Sequence, residues 1–356
     1  MKIKSKLSSL DEELLFKSVK IQYGDKAIIT PIKTGNIQNN VSEINELLRK
    51  FSLEKIDKCI SDEKEERRLN TEIKRELTSG INFFFVDYND DKIPKKNHIE
   101  LLADIQYEHS DVSITPLWSE LVRKLNEERL LDTFLELTNL YIDIVKTMNS
   151  KTIIGVIPSR MPRQFLEPII KNYHNKDITS FVLDLDGRSI DANTSWIRNL
   201  LRLMKDFDLV DETFVYTINS YQGRFMKNIN EVIAKDFVAA GFGADILGLN
   251  HVPPRMSSEA WEKIRRERSQ NTLRLFSRQS YGYRKSTESE LNEIGIRGRK
   301  ELTKFNITEQ YKESRTLQKR LNEQKTVEPY FKSKSLITDN LIRKIKKLKA
   351  ATEFRS

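Results

Sequence analysis

Two aspartates stand two residues apart in "FVLDLDG", Asp184 and Asp186, with Arg188 close behind. On a strand, that spacing aims both carboxyls the same way. Paired acids suit proton transfer, carboxylate attack on an electrophilic carbon, or metal ligation. Carboxylates inside a sheet are costly without partners, so the pair reads as the rim of a site. The structural alternative is a turn at Asp186-Gly187, with Asp184 capping a helix or pairing with Arg188. Other polar residues gather where apolar runs end. Asp87, Asn89 and Asp90 follow "INFFFV", Ser159 and Arg160 follow "TIIGVIP", Asn219 follows "TFVYTI", and Asn250 and His251 follow "ADILGL". Asp87, Asp184 and Asp186 are the candidate catalytic carboxylates. Asp90, Ser159, Arg160, Asn219, Asn250 and His251 are the candidate substrate-binding residues. No Ser-His-Asp set assembles on spacing, and the spacing requires no metal.

These residues need a frame that delivers strand ends to one place. Short β-branched or aromatic runs lie at 26–33, 81–88, 111–117, 152–158, 179–186, 213–219 and 244–250. Pro, Gly, Asn or Asp closes each one, as expected of buried parallel strands. Apolar residues at helical spacing fill 119–149, 162–174, 194–207 and 228–241. Alternating β and α implies a parallel sheet with right-handed crossovers. With 271–278 as an eighth strand, the pattern predicts an α/β fold, a (β/α)8 TIM-type barrel over residues 1–286. An open doubly wound sheet is the alternative. Residues 34–80 read as a helical insertion, and residues 287–356 as a basic helical extension. In such a barrel, chemistry collects at the carboxyl ends of the strands.

The chain has 356 residues, 38% of them hydrophobic, enough for a large core. Cys59 is the only cysteine, which excludes a disulfide framework and a Cys-based zinc site. No apolar run approaches transmembrane length, and the first residues lack the apolar core of a signal peptide. A soluble, cytoplasmic protein with no membrane partner is expected. Residues 255–356 hold 26 Lys and Arg against 13 Asp and Glu. That imbalance suggests a polyanion partner, because cations near phosphates release condensed counterions. The candidate nucleic-acid contacts are Arg255, Arg274, Arg278, Arg284 and Lys285, then Arg343, Lys344, Lys346 and Lys347 in the last helical pattern. Tyr88, Trp118 and Tyr221 have the chemistry to stack on a base, although core packing is their commoner use.

Several segments together resemble the tRNA-guanine transglycosylase superfamily. They are "VKIQYGDKAIITPIKTGN" (19–36), "IELLADIQYEHSDVSITPLW" (99–118), "TIIGVIPSRMPRQFLEPI" (152–169), "FVLDLDG" and "GFGADILGLNHVPPR" (241–255). Their order and spacing over about residues 16–256 carry the resemblance. It implies a (β/α)8 barrel that exchanges guanine for a 7-deazaguanine through a carboxylate nucleophile on the glycosidic carbon. By position, Asp87 loosely matches the first family aspartate, and the second falls at Trp118. The family glutamine falls near Pro158 and Ser159. The nucleophile falls at Gly248 or Leu249, neither of which attacks. The family's three-cysteine, one-histidine zinc motif is absent, so no cofactor is expected. The resemblance therefore implies base exchange in DNA or tRNA, with the acid moved to Asp87, Asp90, Asp184 or Asp186. Reaching a base in a duplex takes it out of the stack, at about a few kcal/mol. The alternatives are a catalytically silent barrel that binds nucleic acid or an active homologue, as a homo- or hetero-oligomer, and a shared fold with an unrelated reaction.

Overall fold

The computed structural model describes residues 2–37, 41–148, 151–226, 228–252, 259, 262 and 273–353. In chain order the strands are β1 (Ile3–Leu10), β2 (Lys17–Tyr23), β3 (Lys26–Ile29), β4 (Ile32–Lys33), β5 (Ile44–Phe51), β6 (Ile81–Tyr88) and β7 (Ser113–Ile114). After them come β8 (Ile153–Pro158), β9 (Phe181–Asp184), β10 (Val215–Ile218), β11 (Glu231–Ile233), β12 (Ile246–Leu247), β13 (Leu273–Ser277) and β14 (Gly282–Ser286). β1, β2 and β3 form an antiparallel sheet. Half-exposed and exposed residues alternate along β1, the pattern of a strand with one wet face. Gly24, at φ 61°, supplies the left-handed position in the two-residue turn between β2 and β3.

A six-stranded parallel sheet follows, in the order β4-β12-β10-β9-β8-β7. β5 and β6 form a separate parallel pair in register from Ile44–Ile81 to Phe51–Tyr88. That pair is bonded to both edges of the larger sheet. On one side the Gly35 amide donates to Ile44 O at 3.0 Å, and the Glu46 amide donates to Gly35 O at 2.8 Å. On the other, the Tyr88 amide donates to Leu117 O at 2.8 Å, and the Leu117 amide donates to Val86 O at 2.9 Å.

Burial follows the period of two. Phe84 and Val86 face the core shared with the helices, while Phe83 and Phe85 face a second core. Ile32, Ile44, Ile114, Ile154, Val182, Tyr216 and Ile246 join that second core, one from each of seven other parallel strands. Val19, Ile21 and Ile28 of the antiparallel sheet complete it. Asp245 ties that sheet to the parallel strands. It is fully buried, pairs with Lys17 at 3.0 Å, and accepts from the Val215 amide at 2.7 Å.

Helices cross between the parallel strands. Thr194–Asp206 buries Trp196, Ile197, Leu200, Leu203 and Met204, which share one face. Asn193 caps it by accepting from the Trp196 amide at 3.2 Å, an interaction of about 1 kcal/mol. The C-terminal helices belong to the same body. Gly298–Gln324 packs on β1, β2, β4 and β13, and Asp339–Glu353 packs on Thr194–Asp206. No helix among the described residues is long and apolar enough to cross a membrane.

Four expectations are corrected. Residues 34–80 are not only helical, because they contain β5 ahead of the helices Leu53–Ser61 and Glu63–Lys74. The run at 26–33 is two strands in two different sheets. The 271–278 run yields β13, which pairs antiparallel with β14 in a third sheet with β11 and does not join the parallel strands. The helix expected at 228–241 is instead β11, a short helix Lys235–Val238 and a 3-10 turn, Ala239–Phe242.

Candidate functional site

The carboxyl ends of the parallel strands open on a cavity of about 1390 Å³. The helix Gly298–Gln324 supplies one wall through Arg299, Leu302, Thr303, Asn306, Ile307 and Gln310. Among the described residues five arginines and one lysine line the cavity: Lys33, Arg160, Arg188, Arg224, Arg274 and Arg299. Asp186 is its one acidic lining residue among those described. Low-dielectric walls lined by one sign of charge concentrate the field, so the cavity favours anions.

His251 lines this cavity, and Glu46 lies beneath it. Glu46 is fully buried, with Oε1 at 2.7 Å from His251 Nε2. It also accepts from the Leu249 amide at 2.9 Å, from the Thr34 hydroxyl at 2.9 Å and from the Tyr216 hydroxyl. Burial pushes the Glu46 carboxyl up. Hydrogen bonding and charge from His251, the Tyr216 hydrogen bond and the Lys33 charge overcome that and hold it below its ordinary value. An ionised carboxylate only accepts, so Nε2 of His251 carries the proton of this bond, and Nδ1 is an acceptor only in the neutral ring. The His251 amide donates to Asn219 Oδ1 at 3.0 Å, which fixes the loop that presents the ring.

Gly248, one of the two positions where the resemblance puts the nucleophile, has no room for an acid. A Cβ there would stand 2.5 Å from Thr217 O, 2.7 Å from Tyr216 Cε2 and 2.8 Å from Glu46 Oε2. The position admits no side chain, and the Glu46 carboxylate from β5 occupies the neighbouring space. Lys33, the last residue of β4, donates from Nζ to Gly248 O at 2.6 Å. Burial lowers the Lys33 ammonium, while the charges of Asp236 and Glu46 pull it the other way.

Asp186 lies past the end of β9, in a turn with Gly187, and the two carboxyls are shifted in opposite directions. Asp186 is held by Arg123 and Arg160. Burial raises its carboxyl, yet the hydrogen bonds and charges of both guanidiniums hold it below the ordinary range. Asp184 accepts from Asn219 Nδ2 at 2.9 Å and from the Asp186 amide at 3.1 Å. Burial, and the charges of Asp186 and Asp87, push it up to about 6 against those bonds. Asp87 is also raised by burial, and its Oδ1 has no partner. A recess of about 10 Å³, the size of one water, lies between Trp118, Ser119, Val122, Pro158, Arg160, Asp184 and Asp186. Arg160 and Asp186 line both this recess and the large cavity. Asp186, Gly187 and Asn219 have φ values of 45°, 72° and 60°, so left-handed backbone clusters at these strand ends.

The remaining candidates divide. Asn250 lines the cavity, and its Oδ1 accepts from the Val252 amide at 3.0 Å. Ser159 lies off the cavity lining with a buried, unpartnered hydroxyl. Asp90 is a helix-end acceptor, bonded to the Leu53 amide at 3.1 Å and the Lys92 amide at 3.2 Å, and it is not brought to the cavity. Trp118 and Tyr88 are packing residues: their rings meet edge to face at 5.8 Å, and Trp118 Nε1 donates to Thr138 Oγ1 at 3.2 Å. Tyr221 does line the cavity.

Of the cationic candidates, Arg274 lines the cavity and stacks on Phe225 at 4.8 Å. Arg278 pairs with the buried Glu313 at 2.7 Å, a structural role. Arg284 and Lys285 are exposed on β14, and Arg284 lines a second groove together with Glu231, Glu309 and Glu313. Arg343 and Lys347 are exposed on Asp339–Glu353, Lys344 is half-buried, and Lys346 pairs with Glu13 and Glu328, each at 2.7 Å. None of these last four lines the cavity. Arg255 lies outside the described residues.

Lys33, Glu46, Arg123, Arg224 and Arg299 were absent from the sequence-based candidates. The signal for Lys33 was its place at the end of an apolar run, "IITPIK". Glu46 gave none, because it sits inside a segment read as helix. Among the described residues no group of three or more His, Cys, Asp or Glu is placed to hold a metal ion. No protein-family model matches this chain, and no curated protein matches it either.

Proposed function

We propose that the eight parallel strands close into one (β/α)8 barrel, and that its mouth binds a nucleotide unit of a nucleic acid and exchanges the base. Closure is supported by the bonds from β5 to Gly35 and from β6 to Leu117, and by the one core that takes side chains from all eight parallel strands. The observation that carries the functional reading is the cavity at the strand ends. Among the described residues it has five arginines, Lys33, one acid, and an imidazole backed by a buried carboxylate.

The arginines suit phosphate, which they bind through paired N–H donors. Asp186, kept ionised by Arg123 and Arg160, suits the N–H edge of a guanine. His251 is the proton acceptor for an incoming base, with Glu46 as its positioning residue. Guanine replaced by a 7-deazaguanine, in DNA or tRNA, is the exchange the sequence resemblance implies.

A second reading is a silent barrel that binds nucleic acid without exchange, or serves an active homologue. The burial of Glu46 and the absence of room at Gly248 favour it, because no carboxylate is free to attack from that strand. The test is incorporation of labelled guanine and 7-deazaguanine into DNA and tRNA, with His251→Ala and Asp186→Asn beside the native chain. Exchange that both variants abolish supports the first reading. Salt-sensitive binding with no exchange into either polymer leaves the second.

A further inference from the structure

The cavity holds a group suited to attack, and it is not a carboxylate. Lys33 is the one lysine among the described residues lining it, and it is almost wholly buried. Its Nζ donates to the carbonyl of Gly248 at 2.6 Å. That residue is one of the two positions, with Leu249, where the sequence resemblance puts the attacking acid, and no side chain fits there. Glu46, with His251 bonded to it, is close enough for its charge to act on the amine. An arginine here would stay charged and serve only as an anion clamp, whereas a desolvated lysine reaches its neutral, nucleophilic form. Burial lowers the Lys33 ammonium, the direction that chemistry requires.

We propose that Lys33 is a nucleophilic amine that forms an imine with a phosphate-bearing electrophile held by the cavity arginines. On the base-exchange reading, on which this part rests, the electrophile is C1′ of the bound nucleotide. The Nζ lone pair forms the new C1′–N bond as the glycosidic C1′–N bond breaks. The departing base takes one proton from the attacking amine. The C1′–O4′ bond then opens, and O4′ takes one proton from solvent, leaving a protonated imine between C1′ and Nζ. Return of O4′ to C1′, with its proton going back to solvent, closes the sugar, and an incoming base displaces Nζ, its N–H proton passing to the departing amine.

The experiment uses the full chain in two arms. In the first, a single-stranded oligonucleotide with one abasic site, whose open sugar presents a C1′ aldehyde, is incubated with the protein and sodium cyanoborohydride. A covalent adduct that peptide mapping places on Lys33 is expected, and Lys33→Met and Lys33→Arg should lose it at least about tenfold. In the second, pyridoxal 5′-phosphate with borohydride tests the same amine with a phosphorylated aldehyde and no nucleic acid. Lys33 labelled in both arms supports the whole proposal. Lys33 labelled only by pyridoxal phosphate supports the amine and overturns the nucleotide reading. Adducts spread over exposed lysines in both arms, unchanged in Lys33→Met, overturn the proposal. Melting curves of both variants, matched to the native chain, separate a chemical defect from a folding defect.

Discussion

Glu46 Oε1 lies 2.7 Å from His251 Nε2, joining residues 205 apart in the sequence. The carboxylate is wholly buried, so its four donors replace its water. Glu46→Gln turns one oxygen into a donor facing other donors. We expect a loss of about 2 kcal/mol, at the low side for breaking a buried pair because His251 is partly exposed. Denaturant titration measures it. A change of under about 0.5 kcal/mol, within the spread of ordinary surface substitutions, would show that the pair holds nothing together.

Gly248 sets a second expectation. Restoring an acid with Gly248→Asp should not create a nucleophile, because the first added carbon meets Thr217 O at 2.5 Å. Even Gly248→Ala should cost about 1–3 kcal/mol as overpacking. A folded, native-like Gly248→Asp chain with a raised exchange rate would sink this account of the missing acid.

Asp184 gives a pH dependence of definite sign. Its carboxyl ordinarily titrates at 3.8 and is pushed up to about 6 in the folded chain. Between those values the folded state holds a proton that the unfolded state has lost. Stability from this group therefore falls as pH rises from about 4 to about 6, by about 3 kcal/mol in full. Asp184→Asn keeps the Oδ1 acceptor for Asn219 and the Asp186 amide but never ionises. The variant should melt higher than the native chain at pH 8 and alike near pH 4. A difference constant across that range would contradict the assigned state.

The placement of cations predicts where a polyanion binds. Arg224→Glu with Arg299→Glu changes the cavity, whereas Arg343→Glu with Lys347→Glu changes the last helix. Only the first pair should weaken oligonucleotide binding by about tenfold or more. It should also flatten the salt dependence by about 0.7–0.9 in log–log slope for each phosphate that is no longer neutralised. Equal losses from both pairs would return the terminal helix to the interface. Deleting that helix is a poor test, because Ile342, Ile345 and Leu348 on it are buried and the fold would suffer first.

Much of the frame was legible because the parallel strands are continuous apolar runs. "INFFFVDY" is buried at all eight positions, so no partner information was needed to see a strand. β5 was hidden for the opposite reason. In "EINELLRKF", Ile44, Leu47 and Leu48 fall at helical spacing, and Asn45 and Glu46 read as a wet face, although both are buried. Polar residues inside a strand are stable only with partners, and those of Glu46 lie far along the chain at Tyr216, Leu249 and His251. No local pattern reveals them. β13 was visible as a strand, but the sequence does not say which edge a strand joins, and its pairing with β14 took it out of the parallel set. Asp184 and Asp186 were found from a two-residue spacing, and the structure pushes the first carboxyl up to about 6 and holds the second below its ordinary range. Their difference comes from Arg123 and Arg160, which stand on other elements.

The helix Gly298–Gln324 follows all the parallel strands in chain order yet forms one wall of the cavity. A nascent chain that has released β12 already owns Lys33, Glu46 and His251, but its site still lies open to bulk water. Closure waits for a helix that begins at Gly298, well beyond β12. Any anion that bridges Arg299 to Arg160 must then hold that helix down as firmly as the helix holds the anion, since linkage runs equally in both directions.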